Sequence, residues 1–227
     1  MMFKSDPYNQ GSIAYRVRMK RFQLLRDRLQ ANGLSDIQCL DVGGTRAFWD
    51  AGMSVFPEGM FKIVDIINLP PVSKSEERIG ETLIRQDTGD ATQLDQYSDN
   101  QFDLVFSNSV IEHVGNLSLQ KRMADGVTRI GKYWFVQTPA KTYPIEPHFY
   151  FPFFAYLPLH WRSCLHRRFT MGFMPKERNT LKALMDCENT RLLGFKEFSL
   201  LFEESEIIKE HLFFLLQSYT ATNLFVR

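Results

Sequence analysis

The stretch Cys39–Thr45 constrains the fold of this chain more than any other part of the sequence. An apolar run ends in Asp41, and the glycine pair Gly43 and Gly44 follows almost at once. A short apolar run of this kind is typical of a buried strand, and glycine allows the backbone to pass close to a ligand. The sequence therefore predicts a strand that opens directly into a ligand-binding loop.

A second predicted strand, at 61–64, ends in Asp65. The separation between Asp41 and Asp65 is close to the roughly 20 residues over which a second strand brings a carboxylate to ribose hydroxyls. Together, the two strand ends predict an enzyme that binds a cofactor containing adenosine.

Strand-like runs alternate with helical segments along the chain. Helices are predicted at 11–32, 43–52 and 117–130, and strands at 37–40, 61–64, 82–85, 102–107 and 133–137. This alternation predicts an α/β fold with a doubly wound, Rossmann-like parallel sheet. The polar segment 70–77 is predicted to be an exposed loop, and 191–202 with 218–226 an antiparallel pair that closes the sheet.

Polar residues follow the predicted strands at five places. They are Asp41, Asp65, Asp90, Asn108 and Thr138. Ligands of doubly wound sheets bind at the carboxyl ends of the strands. We therefore expect these residues to face one site.

The composition limits the classes of function. The net charge of +1 argues against an electrostatic nucleic-acid binder. Three cysteines without a CxxC pair predict neither a zinc site nor a disulfide framework, and no cluster has the spacing of metal ligands. Residues 1–10 lack the apolar core of a signal peptide, and no apolar run is long enough to span a bilayer. A cytoplasmic protein is expected.

The C-terminal third is rich in aromatic residues and prolines, which predicts a cap rather than a regular part of the sheet. We expect a single domain with a helical segment at 1–35, a cofactor-binding core at 36–140, a cap at 141–190 and final strands at 191–227. Two interpretations of 149–168 remain open. In the first, the segment packs on the core and lines a substrate pocket. In the second, its aromatic and arginine side chains make a peripheral contact with the inner membrane face.

The motifs resemble those of the class I S-adenosylmethionine-dependent methyltransferases, in the small-molecule branch of the methyltransferase type 11 kind. Leu40–Thr45 resembles the first motif of that superfamily, Gly89–Ala91 the third, and Phe102–Val114, with its FDLV and EHV sequences, the fourth. The resemblance covers at least 37–140, and a looser similarity covers the whole chain. It implies a seven-stranded, mostly parallel sheet with an antiparallel last strand, and S-adenosyl-L-methionine as the cofactor. The aromatic-rich cap would be an insertion between the fifth strand and the final strands of this sheet.

The resemblance also implies a role for each matching residue. Asp41 would orient the loop and the amino group of the cofactor, and Gly43 and Gly44 would lie against its methionine portion. Asp65 would accept hydrogen bonds from the ribose hydroxyls. Asp90 and Ala91 would contact adenine, and Asn108 would lie at the sulfonium end.

The glycine-rich loop departs from the family pattern, because Thr45 and Ala47 occupy the later glycine positions. A dinucleotide loop would need those positions to be glycine for close contact with a pyrophosphate. Two alternatives nevertheless stay open. One is a nucleotide-dependent oxidoreductase on a similar sheet, and the other is a methyltransferase-like binding module without turnover.

Methyl transfer to an oxygen atom needs a base that takes the proton of the acceptor. Three candidates lie near the expected mouth of the site, and they are His113, Glu146 and His148, the last two on a loop stiffened by Pro144 and Pro147. We predict O-methylation of a small-molecule, sugar or lipid-linked acceptor. The sequence leaves the identity of the acceptor, the attacking atom and the oligomeric state open.

Overall fold

The computed structural model describes residues 11–145, 149–172, 174–212 and 214–225, and an eight-stranded sheet forms their centre. The strands are β1 (Ile37–Val42), β2 (Phe61–Asn68), β3 (Ser75–Ile79), β4 (Thr82–Thr88), β5 (Phe102–Asn108), β6 (Gly131–Pro139), β7 (Glu206–Leu212) and β8 (Leu215–Thr222). The helices are α1 (Ile13–Ala31), α2 (Arg46–Gly52), α3 (Leu117–Ile130), α4 (Leu159–His166), α5 (Thr180–Glu188) and α6 (Phe195–Leu201).

The sheet is a mostly parallel, doubly wound one, which confirms the predicted fold class. Its strand order is β3-β4-β2-β1-β5-β6-β8-β7. The five central strands from β4 to β6 are parallel, and β8 lies antiparallel to β6, as the resemblance implied. The order reverses between β1 and β5, and that crossover is where doubly wound sheets bind their ligands.

The eighth strand is β3, which overlaps the segment predicted to be a loop at 70–77. Residues Ser75–Ile79 instead pair antiparallel with β4. The strand lies at the edge of the sheet and its side chains are exposed or half-buried. An edge strand of this kind needs no apolar run, so its polar sequence was misleading.

The prediction of a strand at 191–202 is wrong, because this segment contains helix α6. Gly194 stands at the N-cap, and its amide donates to the Glu197 carboxylate at 2.9 Å. Phe198 and Leu201 then recur at helical spacing and are buried. The antiparallel pair that closes the sheet is β7 with β8.

Strand β2 is longer than predicted. The sequence placed its end at Val64, but Ile66 and Ile67 extend the buried run and the strand ends at Asn68. Asp65 consequently lies inside the strand, opposite Leu40 of β1. This extension changes which side chain stands at the carboxyl edge of the sheet.

Helices cover both faces of the sheet and bury two apolar cores. On one face, α1 and α2 contribute Phe22, Leu25 and Trp49 to an aromatic cluster. On the other, Met123 and Val127 of α3 pack on the sheet together with α6. Each such side chain contributes about 1.5–3 kcal/mol of transfer free energy on burial. These cores fix the strand ends that form the site.

The segment that follows β6 adds the small helical cap. Helices α4 and α5 pack against each other there, over a third apolar cluster that includes Phe149, Phe154 and Cys187. The rings of Phe149 and Phe154 stack with their centroids 4.2 Å apart. None of the strands in the described residues comes from 141–190. No helix in the described ranges is long and apolar enough to cross a membrane.

Candidate functional site

A cavity of about 600 Å³ opens at the carboxyl ends of β1, β2, β4 and β5. Its volume falls within the roughly 300–1,000 Å³ that is usual for cofactor sites. It is lined by Gly43, Ile67, Asn68, Leu69, Gly89, Asp90, Ala91, Thr92, Gln93, Ser109, Val110, His113, Val114, Leu119 and Arg122. Four residues that the sequence singled out are therefore brought together here, namely Gly43, Asp90, Ala91 and His113.

Gly43 brings the backbone after β1 to the cavity wall. Its φ of +81° lies in the left-handed region that glycine adopts most readily. A Cβ atom on this residue would lie 2.5 Å from a methyl carbon of Val110, which also lines the cavity. The amide of Gly43 donates to the Ile67 carbonyl at 2.8 Å and holds the loop in place. Both conformation and space therefore require glycine at this position.

Gly44 has a different task from the one expected, because it leaves room for the Asp41 carboxylate. A Cβ atom on Gly44 would lie 1.6 Å from Asp41 Oδ2. Asp41 is fully buried, and its Oδ2 accepts a hydrogen bond from Trp49 Nε1 at 2.7 Å. Neither Asp41 nor Gly44 lines the cavity. Both support the loop from behind.

Burial gives the Asp41 carboxyl an unusual protonation equilibrium. Desolvation raises its pKa to about 7, and the hydrogen bond from Trp49 offsets only part of that effect. Within the described residues, Asp41 Oδ1 is buried without a hydrogen-bond partner. An orphaned carboxylate oxygen under the loop is compatible with the implied task of orienting the loop, whereas the position of Asp41 behind the cavity wall does not support a contact with the cofactor's amino group.

Thr45, which departs from the family's glycine pattern, caps helix α2. Its Oγ1 accepts from the Phe48 amide at 3.2 Å, as an N-cap threonine does. The preceding carbonyl, that of Gly44, accepts from Asn68 Nδ2 at 2.7 Å. The loop is thus fixed by a cap on one side and by β2 on the other.

The predicted ribose contact at Asp65 is not supported by its position. Its carboxylate forms a bidentate ion pair with Arg85, at 2.5 and 2.7 Å, and it does not line the cavity. The residue at the end of β2 is Asn68, and Asn68 lines the cavity. Sequence reasoning missed Asn68, although the apolar pair Ile66 and Ile67 after Asp65 was a signal that the strand continues.

Asp90 lines the cavity with its carboxylate held in a tight turn. Its Oδ1 accepts from the amide and hydroxyl of Thr92, both at 2.8 Å, and Oδ2 accepts from Gln93 Nε2 at 3.1 Å. Desolvation raises the pKa of Asp90, but these hydrogen bonds outweigh it and leave the pKa below its ordinary value. Asp90 is therefore ionised at neutral pH. Ala91 lines the cavity beside it, and the contact of both residues with adenine stays a prediction.

Asn108 does not line the cavity, and the next residue takes its place. Its Oδ1 accepts from Arg21 Nη1 of helix α1 at 3.1 Å. Ser109 lines the cavity with a positive φ of 58°, and its hydroxyl donates to Gln137 Oε1 at 2.9 Å. The sequence placed the contact one residue early because β5 extends through Asn108.

Of the three candidate bases, the structure places His113 at the cavity. It ends the short 3₁₀ turn Ile111–His113 and lines the wall beside Val114. Glu112 is buried behind it and accepts from the Thr138 hydroxyl at 3.0 Å. Glu146 and His148 lie outside the described residues. Within the described ranges, no group of three or more His, Cys, Asp or Glu residues is arranged to hold a metal ion.

Part of the core is similar to a known protein family. Residues 64–135 match a family model described as a methyltransferase domain. This range contains Asn68, Asp90, Ser109 and His113, which line the cavity. No curated protein sequence matches the chain significantly.

Solved structures share the fold at low sequence identity. A SAM-dependent methyltransferase from Methanosarcina mazei has a TM-score of 0.52 at 13% identity, over 88% of this chain and 95% of that one. Magnesium protoporphyrin IX methyltransferase from Synechocystis, solved with bound SAH, has a TM-score of 0.50 at 12% identity, over 91% and 84%. The CurJ carbon methyltransferase has a TM-score of 0.57 at 9% identity, over 96% and 56%.

Proposed function

We propose that this chain is a class I S-adenosylmethionine-dependent methyltransferase that methylates an oxygen atom of a small-molecule, sugar or lipid-linked acceptor. The match of residues 64–135 to a methyltransferase-domain family model supports this proposal. The observation that carries this proposal is the cavity of about 600 Å³ at the strand ends, within which Gly43, Asp90, Ala91 and His113 converge.

The residues of the cavity fit an adenosine-containing cofactor. Asn68 stands at the end of β2, where its amide side chain offers hydrogen bonds to ribose hydroxyls. Asp90 is an ionised acceptor for the adenine amino group, and Ile67 and Val110 supply apolar wall. Gly43 leaves the loop backbone accessible next to Ser109. When bound, the cofactor would supply a methyl group on a sulfonium: the acceptor oxygen would bond to the methyl carbon in line as the carbon–sulfur bond breaks, and S-adenosylhomocysteine would leave.

The protein's main tasks in such a reaction are alignment, exclusion of water and removal of one proton. His113 lines the cavity within the match to the methyltransferase domain, so we assign it the general-base role. Its imidazole takes the proton of the acceptor hydroxyl while the oxygen attacks. His148, with Glu146, is the second candidate for this role.

Single-turnover methyl transfer tests the base. His113→Ala and His148→Ala would be compared with His160→Ala, which removes an exposed histidine of the cap. Loss of a general base lowers the rate by about 10²–10⁴-fold, and S-adenosylhomocysteine affinity, measured separately, should change far less. If both test variants retain the rate of His160→Ala, the assignment of a histidine base is wrong.

Two rival functions have their own tests. A nucleotide-dependent oxidoreductase would bind NAD in calorimetry rather than S-adenosylhomocysteine. A binding module without turnover would bind S-adenosylhomocysteine but transfer no radiolabelled methyl group to any component of a cell extract. The role of Thr45 as the N-cap of α2 favours a methyltransferase over these rivals. It explains why a threonine replaces the family's glycine while the cavity is retained.

A lipid-linked acceptor is favoured by the surface of the cap. Phe153, Tyr156 and Trp161 are 62%, 55% and 65% exposed, and the exposed Arg167 and Arg168 follow them in the chain. Aromatic rings at headgroup depth with arginines on anionic lipid form a peripheral membrane contact. We therefore propose that 149–168 contacts the membrane.

Vesicle co-sedimentation at low salt tests this contact. Native protein should pellet with phosphatidylcholine vesicles that contain phosphatidylglycerol, and Trp161→Ala should pellet less. The matched control is Phe214→Ala, which removes an aromatic ring that is 99% exposed outside the cap. Equal pelleting of both variants, or none by the native protein, contradicts the contact.

A further inference from the structure

A second, smaller pocket lies where the cap meets the core. It has a volume of about 170 Å³, and its wall contains three cationic side chains, Lys141, Arg162 and Arg191, while none of the described residues that line it is acidic. They come from the segment after β6, from helix α4 and from the segment before α6. We call this site the cationic pocket. Chain segments that are distant in sequence thus bring like charges together in a concave site.

Two of the three charges form no ion pair with another residue in the described ranges. Within the described part of the chain, neither Lys141 nor Arg162 has a carboxylate within 4 Å, whereas Arg191 forms an ion pair with Glu197. Like charges in a partly enclosed site repel one another, and a bound anion relieves that repulsion.

Arg162 is also held in place and incompletely hydrogen-bonded. Its Nη1 donates to the Cys187 carbonyl at 2.9 Å, which fixes the guanidinium group. Its Nε is buried and has no partner among the described residues. A buried donor without a partner costs free energy, which an oxyanion that accepts from it would recover. Phe149 and Phe154, both almost fully buried, form an apolar wall beside it.

The cationic pocket is tied to the cofactor cavity through the turn Ile111–His113. The amide of Arg191 donates to the Glu112 carbonyl at 2.7 Å, and the next residue, His113, lines the cofactor cavity. Gln120 braces this link, because its Nε2 donates to the carbonyls of Ile111 and Arg191 at 3.0 and 2.9 Å. One short turn therefore contributes to both sites.

We propose that the cationic pocket binds a phosphate group of the methyl acceptor and so orients the acceptor toward the cofactor cavity. A volume of about 170 Å³ is below the roughly 300 Å³ of a site for a whole ligand, so the pocket takes only one end of the molecule. Arginine forks beside a lysine match the oxygens of a phosphate. This inference rests on the proposed methyl transfer and narrows its substrate to phosphorylated acceptors.

Calorimetric titration with inorganic phosphate tests the pocket directly. The native protein should show saturable binding. Lys141→Gln and Arg162→Gln should each weaken it about tenfold or more, as expected when one charge-assisted hydrogen bond is lost. Arg162→Lys should restore only part of the affinity. Arg78→Gln, which removes an exposed charge of strand β3 outside both the pocket and the cap, should leave it unchanged. Because the Lys141 side chain is exposed, its variant stays informative if Arg162→Gln misfolds.

S-adenosylhomocysteine titration of the same proteins separates this inference from the proposed function. Normal S-adenosylhomocysteine binding without saturable phosphate binding, or phosphate binding that is equal in all variants, overturns the phosphate site alone. Phosphate binding without S-adenosylhomocysteine binding overturns the methyltransferase function instead.

The source of the phosphate is distinguished by two further probes. Glycerol 3-phosphate represents a soluble acceptor, and phosphatidic acid in phosphatidylcholine vesicles represents a lipid headgroup. The probe whose affinity falls in Lys141→Gln but not in Arg78→Gln identifies the source and supports the site. If neither affinity falls, the site does not bind phosphate.

Discussion

The cofactor cavity and the cationic pocket are built in different ways. The cavity is formed by residues at the carboxyl ends of parallel strands, and its ionised carboxylate, Asp90, is held by neighbours two or three residues away. The cationic pocket is formed by long side chains from three distant segments, and two of its charges have no described carboxylate partner. The first site is thus rigid and locally specified. The second depends on how the cap packs on the core.

This difference suggests that the two sites recognise different ligands. We propose that the cavity at the strand ends recognises the cofactor and that the side chains of the cationic pocket recognise the acceptor. Variants of the core should therefore change stability or cofactor affinity, and variants of the pocket should change acceptor affinity alone.

The largest expected effect concerns Asp41, beneath the cofactor loop. Its folded-state pKa of about 7 lies above the ordinary value of 3.8. The stability contributed by its protonated form is therefore fully present below pH 4 and is lost as the pH rises through 7. A shift of about 3 units corresponds to about 4 kcal/mol. Between pH 4 and pH 8, the native protein should therefore lose about 4 kcal/mol more of its free energy of unfolding than Asp41→Asn does, as measured by urea unfolding.

All other titrating groups are shared by the two proteins, so the difference between their pH profiles isolates Asp41. Parallel profiles would mean that the carboxyl is not desolvated as the structure indicates. Asp41 would then not be buried beneath the cofactor loop in the way described.

The second prediction compares two glycines with positive φ. Gly43→Ala places a Cβ against Val110, whereas Gly59→Ala, at a φ of +73°, meets nothing within 4 Å. Both should lose about 1–2 kcal/mol of unfolding free energy through backbone strain. Only Gly43→Ala should also lose S-adenosylhomocysteine affinity, by about 30-fold, as overpacking of about 2 kcal/mol implies. Equal affinities in the two variants would show that Gly43 does not shape the cavity.

The third and smallest effect distinguishes the two polar residues of β2. Asn68→Ala should weaken S-adenosylhomocysteine binding about fivefold, as expected for about 1 kcal/mol from one hydrogen bond. Asp65→Asn should leave it unchanged, because its carboxylate pairs with Arg85 away from the cavity. Calorimetry on both variants decides the matter, and the reverse pattern would restore Asp65 as the ribose contact.

The sequence was sufficient for the parallel core because strands and helices there carry strong local signals. The apolar run of β5, the periodicity of α3 and the glycine pair are all visible without tertiary information. The prediction errors arose where the sequence signal for a helix or strand is weak, or where the exact end of a strand determines which residue faces the cavity. Edge strand β3 is polar, and helix α6 resembles a strand in its apolar content until its cap is recognised.

The site was predicted in part for the same reason. Gly43, Asp90, Ala91 and His113 lie at the cavity because their motifs are local. Asp65 and Asn108 were misplaced because β2 and β5 extend further than expected. The cationic pocket could not be predicted, since nothing in the sequence indicates that Lys141, Arg162 and Arg191 meet.

The central claim is that the cavity at the strand ends binds S-adenosylmethionine, and parallel calorimetric titrations of the native protein with S-adenosylhomocysteine and NAD test it most directly. We predict saturable binding of S-adenosylhomocysteine at one site per chain and no binding of NAD. Saturable binding of NAD without binding of S-adenosylhomocysteine would contradict the account.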